Sequence, residues 1–158
     1  MNLDSKLVAE GMLYAKQPGR FEIISKNPMV ILDGAHNRGG AEALEQTVRD
    51  ISDDSKNLKV LMVVAILKDK DVSGMAEIFR RIGTEFIITE IDDGRSSKAE
   101  DLAEYFKGSN VISIEKPAND AVRSALAKAP EYDMTIIAGS LYLIGEVRSE
   151  AIRCMNAQ

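Results

Sequence analysis

The sequence predicts an α/β fold, doubly wound around a mostly parallel six-stranded sheet with one antiparallel strand. Six short runs, at residues 21–25, 29–33, 60–66, 86–91, 111–115 and 134–138, are rich in Val and Ile as strands are. Segments with apolar residues three or four apart separate most of them, and each reads as a helix with one buried stripe. Strands joined through helices run parallel, because only a crossover returns the chain in the same direction. A parallel sheet covered on both faces is the doubly wound, Rossmann-like arrangement.

An opening stripe of Leu3, Leu7, Val8 and Met12 precedes the first strand. Only Lys26-Asn27 separates the first strand from Pro28, and so short a link forces a hairpin, which makes strand one antiparallel to the rest. In that register Arg20 stands opposite Asp33. The helical stripes are Ala41, Leu44, Val48 and Ile51; Val72, Met75, Ile78, Phe79 and Ile82; Leu102, Tyr105 and Phe106; and Val122, Ala125, Leu126 and Ala129. A last one, Ile144, Val147, Ala151 and Met155, closes the chain. Ser97-Lys98-Ala99-Glu100 has the pattern of a capping box, and Pro117 suits a first helical turn.

Composition narrows the function. The 158 residues include 20 Lys or Arg against 25 Asp or Glu, a formal net charge of −5, which disfavours the counterion-displacing grip of a general nucleic-acid binder. Cys154 is the single cysteine and His36 the single histidine, so neither an internal disulfide nor a Cys/His zinc cage can form. A reducing, cytoplasmic setting is therefore expected. No apolar run approaches the ~20 residues that span a bilayer, and the N-terminus lacks a signal-peptide pattern. Lys never follows Gly as in a phosphate loop, and G-x-G-x-x-G, G-x-S-x-G and H-E-x-x-H are absent. The usual P-loop grip on a triphosphate is thereby excluded, and a self-contained hydrolase or metalloenzyme is disfavoured.

In an open parallel sheet ligands bind beyond the carboxyl ends of the strands. Asp33-Gly34-Ala35-His36-Asn37 follows strand two, Lys68-Asp69-Lys70-Asp71 strand three, Asp92-Asp93-Gly94-Arg95 strand four and Gly139-Ser140 strand six. Each residue has two readings. Asp33 is either a ribose acceptor or a partner of Arg20; His36 is either a neutral hydrogen-bonding ring at a helix N-terminus or a packed loop residue. Ser140 caps the last helix, exposes its amides to an anion, or does both. Arg95 is a carboxylate fork or surface charge, Asp71 a helix cap, and Asn37, Asp69 and Lys70 are further rim candidates.

Pro18-Gly19-Arg20-Phe21-Glu22, the Asp33 to Asn37 run, Asp69-Lys70-Asp71 and Gly139-Ser140-Leu141-Tyr142-Leu143-Ile144-Gly145 together resemble the C-terminal domain of folylpolyglutamate synthase, often bifunctional with dihydrofolate synthase, in the Mur ligase superfamily. The resemblance implies a C-terminal domain at 18–158, a linker helix at 1–17, and an ATPase domain with the phosphate loop that this sequence lacks. It implies an amide ligase that uses ATP and Mg2+, the metal held mainly by that other domain, to join L-glutamate to folate or dihydropteroate through an acyl phosphate. Carried over by motif, Arg20 and Asp33 meet the nucleotide, while His36, Ser140, Tyr142 and Arg95 meet the incoming glutamate. Gly94 stands where the family commonly has proline and Gln17 where it has tryptophan, which weakens the match around Arg95 and alters linker packing. Two alternatives remain: another Mur-type ligase, or a stand-alone module that binds a nucleotide or an acidic metabolite.

Overall fold

A computed structural model describes residues 17–52 and 57–157, and the opening stripe at Leu3 to Met12 lies outside them. Six strands, β1 (Glu22–Lys26), β2 (Met29–Asp33), β3 (Val60–Val64), β4 (Glu85–Ile88), β5 (Asn110–Ile114) and β6 (Met134–Ala138), form one sheet in the order β1-β2-β6-β3-β4-β5. Only β1 runs against its neighbour; every other pairing is parallel. The helices are α1 (Arg38–Ile51), α2 (Val72–Ile82), α3 (Ala99–Glu104), α4 (Ala118–Lys128) and α5 (Leu141–Asn156), with a 3-10 turn at Ala129–Glu131. The doubly wound architecture expected from the sequence is met.

Alternation along the central strands divides the core in two. Val60, Met62 and Val64 of β3 pack with the apolar stripes of α1, α2 and α3, and Leu61 and Val63 pack with those of α4 and α5. β3 and β6 are buried throughout, as central strands covered on both faces must be. Between α1 and α2, Glu45 accepts from Arg81 Nε and Nη2 at 3.0 and 2.9 Å and from Arg49 Nη2 at 2.5 Å. Among the described residues no helix is long and apolar enough to cross a membrane.

Four local expectations need correction. The hairpin closes on the Lys26–Met29 pair with Asn27-Pro28 as its loop, and a bulge between Ile23 and Ser25 inserts one residue. The later turn and the bulge shift the register by a net one position, so Phe21 rather than Arg20 stands beside Asp33. The Ser97 capping box does not form: Lys98 holds the N-cap position of α3, and the Ala99 amide donates to Glu90 Oε2 at 2.9 Å. A carboxylate from the end of β4 thus does the work assigned to the serine, and Glu100 pairs with Lys116 instead. Pro117 sits one residue early, as the N-cap of α4. Finally, α3 ends at Glu104, which leaves Tyr105 about half exposed while Phe106 packs against Phe86 with ring centroids 4.9 Å apart.

Candidate functional site

The loops after β2, β6, β3 and β4 share one edge, and the antiparallel β1 brings residues 17–21 to the same edge. Gly139 lets the β6 loop turn there. It has φ +120°, and a Cβ on it would lie 2.2 Å from the carbonyl oxygen of Ala65. The chain then enters α5, whose N-cap Ser140 is 1% exposed and accepts the Tyr142 amide on Oγ at 3.1 Å. The capping role expected of Ser140 is therefore present.

Asp33 organises the neighbouring loop. Its Oδ2 accepts the Phe21 amide and its Oδ1 the Ala35 amide, both at 2.8 Å. Burial pushes its carboxyl above the ordinary value, and those two amides, with the Arg20 charge, oppose that shift. Phe21 has φ 43°, a left-handed conformation that costs a non-glycine residue about 1–3 kcal/mol unless its surroundings enforce it. Three ties do so: the Asp33 bond, a 2.6 Å bond from the Gly34 amide to the Gly19 carbonyl, and a 3.0 Å bond from the Gly19 amide to Glu22 Oε2. Glu22, 8% exposed, in turn accepts a fork from Arg148 of α5, Nε at 3.0–3.1 Å and Nη2 at 2.6 Å.

His36 Nδ1 lies 2.9 Å from the Gly34 carbonyl, and since a carbonyl only accepts, the proton of that bond is on Nδ1. Asn37 caps α1 by accepting the Gly40 amide at 2.7 Å. Arg20, Asp33, His36 and Asn37 all line one hollow of about 360 Å³, closed on one side by Leu141. Tyr142, the next residue, lines a different hollow of about 880 Å³ with Asp92, Asp93, Lys116 and Asn119. The Arg95 guanidinium lies 4.6 Å from the Tyr142 ring centroid and is forked to Asp93 at 3.1–3.2 Å. That pairing holds the Asp93 carboxyl below its ordinary value.

The sequence-predicted residues are thus divided. Arg20, Asp33, His36 and Asn37 come together; Tyr142 and Arg95 form a second group; Ser140 is buried at the join. Lys70 pairs with Asp69 at 3.4 Å, and Asp71 caps α2 by accepting the Gly74 amide at 2.9 Å. Sequence reasoning missed Glu22 and Arg148. They lie 126 positions apart, and no local pattern links them.

The charges give a pH dependence with a definite sign. Arg148 holds Glu22, and Arg81 holds Glu45, below the ordinary carboxylate value. Their stabilising contribution is complete above the unfolded value near ~4.3 and is lost as pH falls through the lower folded values. Asp33 has the opposite sign: its raised folded value makes ionisation costly, and that cost recedes on acidification. We expect Glu22→Gln and Glu45→Gln each to flatten the acid limb of a stability–pH curve from urea unfolding. An unchanged limb in both variants would show that these pairs do not set acid sensitivity.

The family pattern described as "Mur ligase, glutamate ligase domain" matches residues 19–141. A probable bifunctional folylpolyglutamate synthase/dihydropteroate synthase of Halobacterium salinarum is 33% identical over 96% of this chain and 18% of its own length. Escherichia coli FolC, solved with DHPP and ADP, superposes with a TM-score of 0.78 at 28% identity, over 99% of this chain and 36% of its own. A bifunctional folylpolyglutamate synthase/dihydrofolate synthase solved with Mn, AMPPNP and L-glutamate bound gives 0.71 at 27% identity, over 94% and 35%. The chain therefore spans between about a fifth and just over a third of the proteins it matches.

Proposed function

The chain belongs to the glutamate ligase domain family of the Mur ligases, and from that premise we propose that it is the C-terminal part of an ATP-dependent ligase that adds L-glutamate to folate or dihydropteroate. The observation that carries the proposal is the hollow shared by Arg20, Asp33 and His36 beside the N-terminus of α1. Each Asp33 oxygen already accepts one amide and has a second lone pair, which suits ribose hydroxyls. Arg20 supplies a positive charge for phosphate oxygens.

In the proposed reaction the γ-phosphoryl group of ATP passes to the substrate carboxylate and ADP leaves. The neutral amine of glutamate then attacks the acyl carbonyl, a C–N bond forms, the C–O bond to phosphate breaks, and inorganic phosphate leaves as the amide nitrogen loses a proton to solvent. Tyr142 and Arg95 meet one carboxylate of the incoming glutamate and His36 Nε2, on the other side of Leu141, meets the second, while buried Ser140 acts through the helix turn it caps. Arg95 must exchange Asp93 for substrate to do so, and its place over Tyr142 keeps the guanidinium oriented during that exchange. Asn37, Asp69 and Lys70 complete the edge. Closure against the domain with the phosphate loop excludes water from the acyl phosphate.

Among the described residues no three His, Cys, Asp or Glu side chains converge into a cage, and Mg2+ at a nucleotide needs only one or two carboxylates beside the substrate phosphates and waters. The metal belongs with the phosphate loop in this reading.

Two outcomes test the proposal. The chain alone is expected to give no ATP- and glutamate-dependent elongation of folate, and elongation by the purified chain would overturn its description as one part of the enzyme. In a ligase carrying this domain, His36→Ala and Ser140→Ala should raise the KM for glutamate by about tenfold, with a smaller change for ATP. Ser140→Ala also removes an N-cap worth about 1 kcal/mol. A rise confined to the ATP KM would move both residues to the nucleotide side.

A further inference from the structure

The geometry points to Glu22 and Arg148 as positioning residues: their ion pair sets the Arg20 turn relative to the helix that Ser140 opens. Arg20 is itself exposed, so its aim depends on the backbone of residues 17–21. That backbone is a turn closed by the Arg20 amide on the Gln17 carbonyl at 3.2 Å, with Gly19 at φ +77° and Phe21 at φ 43°. Two of its ties lead to the loop after β2, through Asp33 and Gly34. The third leads elsewhere: the Gly19 amide donates to Glu22, and Glu22 is forked to Arg148, two turns into α5. The first turn of that helix carries Ser140, Leu141 and Tyr142. One carboxylate therefore couples the strained turn on β1 to the element that separates the two hollows.

The arrangement stabilises the fold and also links two elements of the site. Glu22 is buried but the Arg148 side chain is 38% exposed, and an ion pair open to solvent on one side contributes about 0–1 kcal/mol. An apolar pair at these positions would leave the Gly19 amide, in a buried residue, without its acceptor. The carboxylate satisfies the Gly19 amide and the fork ties that same carboxylate to α5, so the two together fix the distance of the turn from the helix. Arg148 also holds the Glu22 carboxyl ionised well into acid, so the clamp stays closed at neutral pH.

This inference rests on the reading of Arg20 as a nucleotide ligand, and the experiment separates the two. Amide hydrogen exchange and ADP titration, both followed by NMR, are measured on this chain and on Glu22→Ala, Arg148→Ala and the milder Arg148→Lys, which keeps the charge but loses the fork. Exchange at Gly19 and Gly34 is expected to accelerate about tenfold or more in the three variants, with Val63 and Ile137 in the central strands changed less than about twofold. ADP affinity should fall about tenfold in Arg148→Lys, and that loss should vanish when Arg20→Ala is already present. Unchanged protection at Gly19 and Gly34 in Arg148→Lys would overturn the clamp, whatever ADP does. An ADP loss that persists in full without Arg20 would overturn the claim that the pair acts through it. If Arg20→Ala by itself leaves ADP binding unaltered, the nucleotide reading fails, and the exchange data still decide whether Glu22 and Arg148 hold the turn.

Discussion

Asp33→Asn is expected to weaken nucleotide binding and folding together, whereas Arg20→Ala weakens nucleotide binding alone. Asp33 uses one carboxylate oxygen for the Phe21 amide and the other for the Ala35 amide. Asparagine has one such oxygen, so its NH2 must face an N–H donor in a half-buried site. Losing a hydrogen bond to a charged acceptor costs about 1.5–3 kcal/mol, an upper bound here because removing the charge also relieves the cost of burying it. In a domain of this size that is a fall in Tm of about 3–10 °C. The Phe21 tie loosens as well, so the strained turn that carries Arg20 relaxes. Arg20 is exposed, and among the described residues its side chain makes no hydrogen bond or ion pair, so Arg20→Ala should leave Tm within about 1–2 °C. Its ADP affinity should nevertheless drop about tenfold to a hundredfold, the worth of one charge-assisted phosphate contact. Calorimetric Tm values beside ADP titrations of both variants decide the matter. If Arg20→Ala binds ADP as well as the parent chain does, Arg20 is not a phosphate ligand.

The largest loss of stability is expected from Gly139→Ala. A methyl group there would sit 2.2 Å from the Ala65 carbonyl oxygen and 3.1 Å from its carbonyl carbon. These are backbone atoms of the segment that follows β3, a central strand, and they cannot rotate away as a side-chain end would. The residue would also be forced to φ +120°. Strain and overpacking together amount to about 3 kcal/mol or more, a fall in Tm of roughly 6–12 °C. The displaced backbone leads directly into Ser140, so the α5 N-terminus moves with it. Thermal unfolding followed by circular dichroism gives the answer, and a Tm within about 2 °C of the parent would show that the β6 loop has slack not visible in its contacts.

Much of this architecture was legible because local chemistry and global packing agree. β2 and β6 fall at the bounds the apolar runs predicted, and the buried faces of α1, α2 and α5 follow the predicted stripes. β3 and β4 end earlier than their apolar runs because Ala65, Ile66 and Ile91 are buried in the loops beyond them, and burial alone does not make a strand. The one-residue error in the hairpin has a similar origin. The turn closes one residue later than expected, which moves the register by two positions, and a bulge at Ile24, which leaves no mark in a run of Glu, Ile, Ile and Ser, moves it back by one, so Phe21 replaces Arg20 as the neighbour of Asp33. The capping serine was displaced by Glu90, which arrives from another element and is invisible to a four-residue motif. At the site, residue types and loop positions were readable, but their division between two hollows was not. That division depends on Leu141 and Tyr142 diverging from a single helix turn.

The strand order also governs when the site can exist. β2 is flanked by β1 and β6, so beyond its own hairpin the Arg20–Asp33 side joins the sheet only through pairs such as Val30 with Thr135 and Asp33 with Ala138. Those contacts close a loop of about a hundred residues, and such long-range parallel pairing is slow because its entropy cost precedes its reward. Among these strands β1 and β2 are made first, and β2 lacks its second neighbour until β6 has been made, whereas β3, β4 and β5 are neighbours in both sequence and sheet. Asp33 and Ser140 come into register only when β2 docks on β6, so the ligand edge depends on the longest-range pairing in the sheet. A nascent chain stalled before Met134 can hold much of its helical structure and still have no nucleotide end.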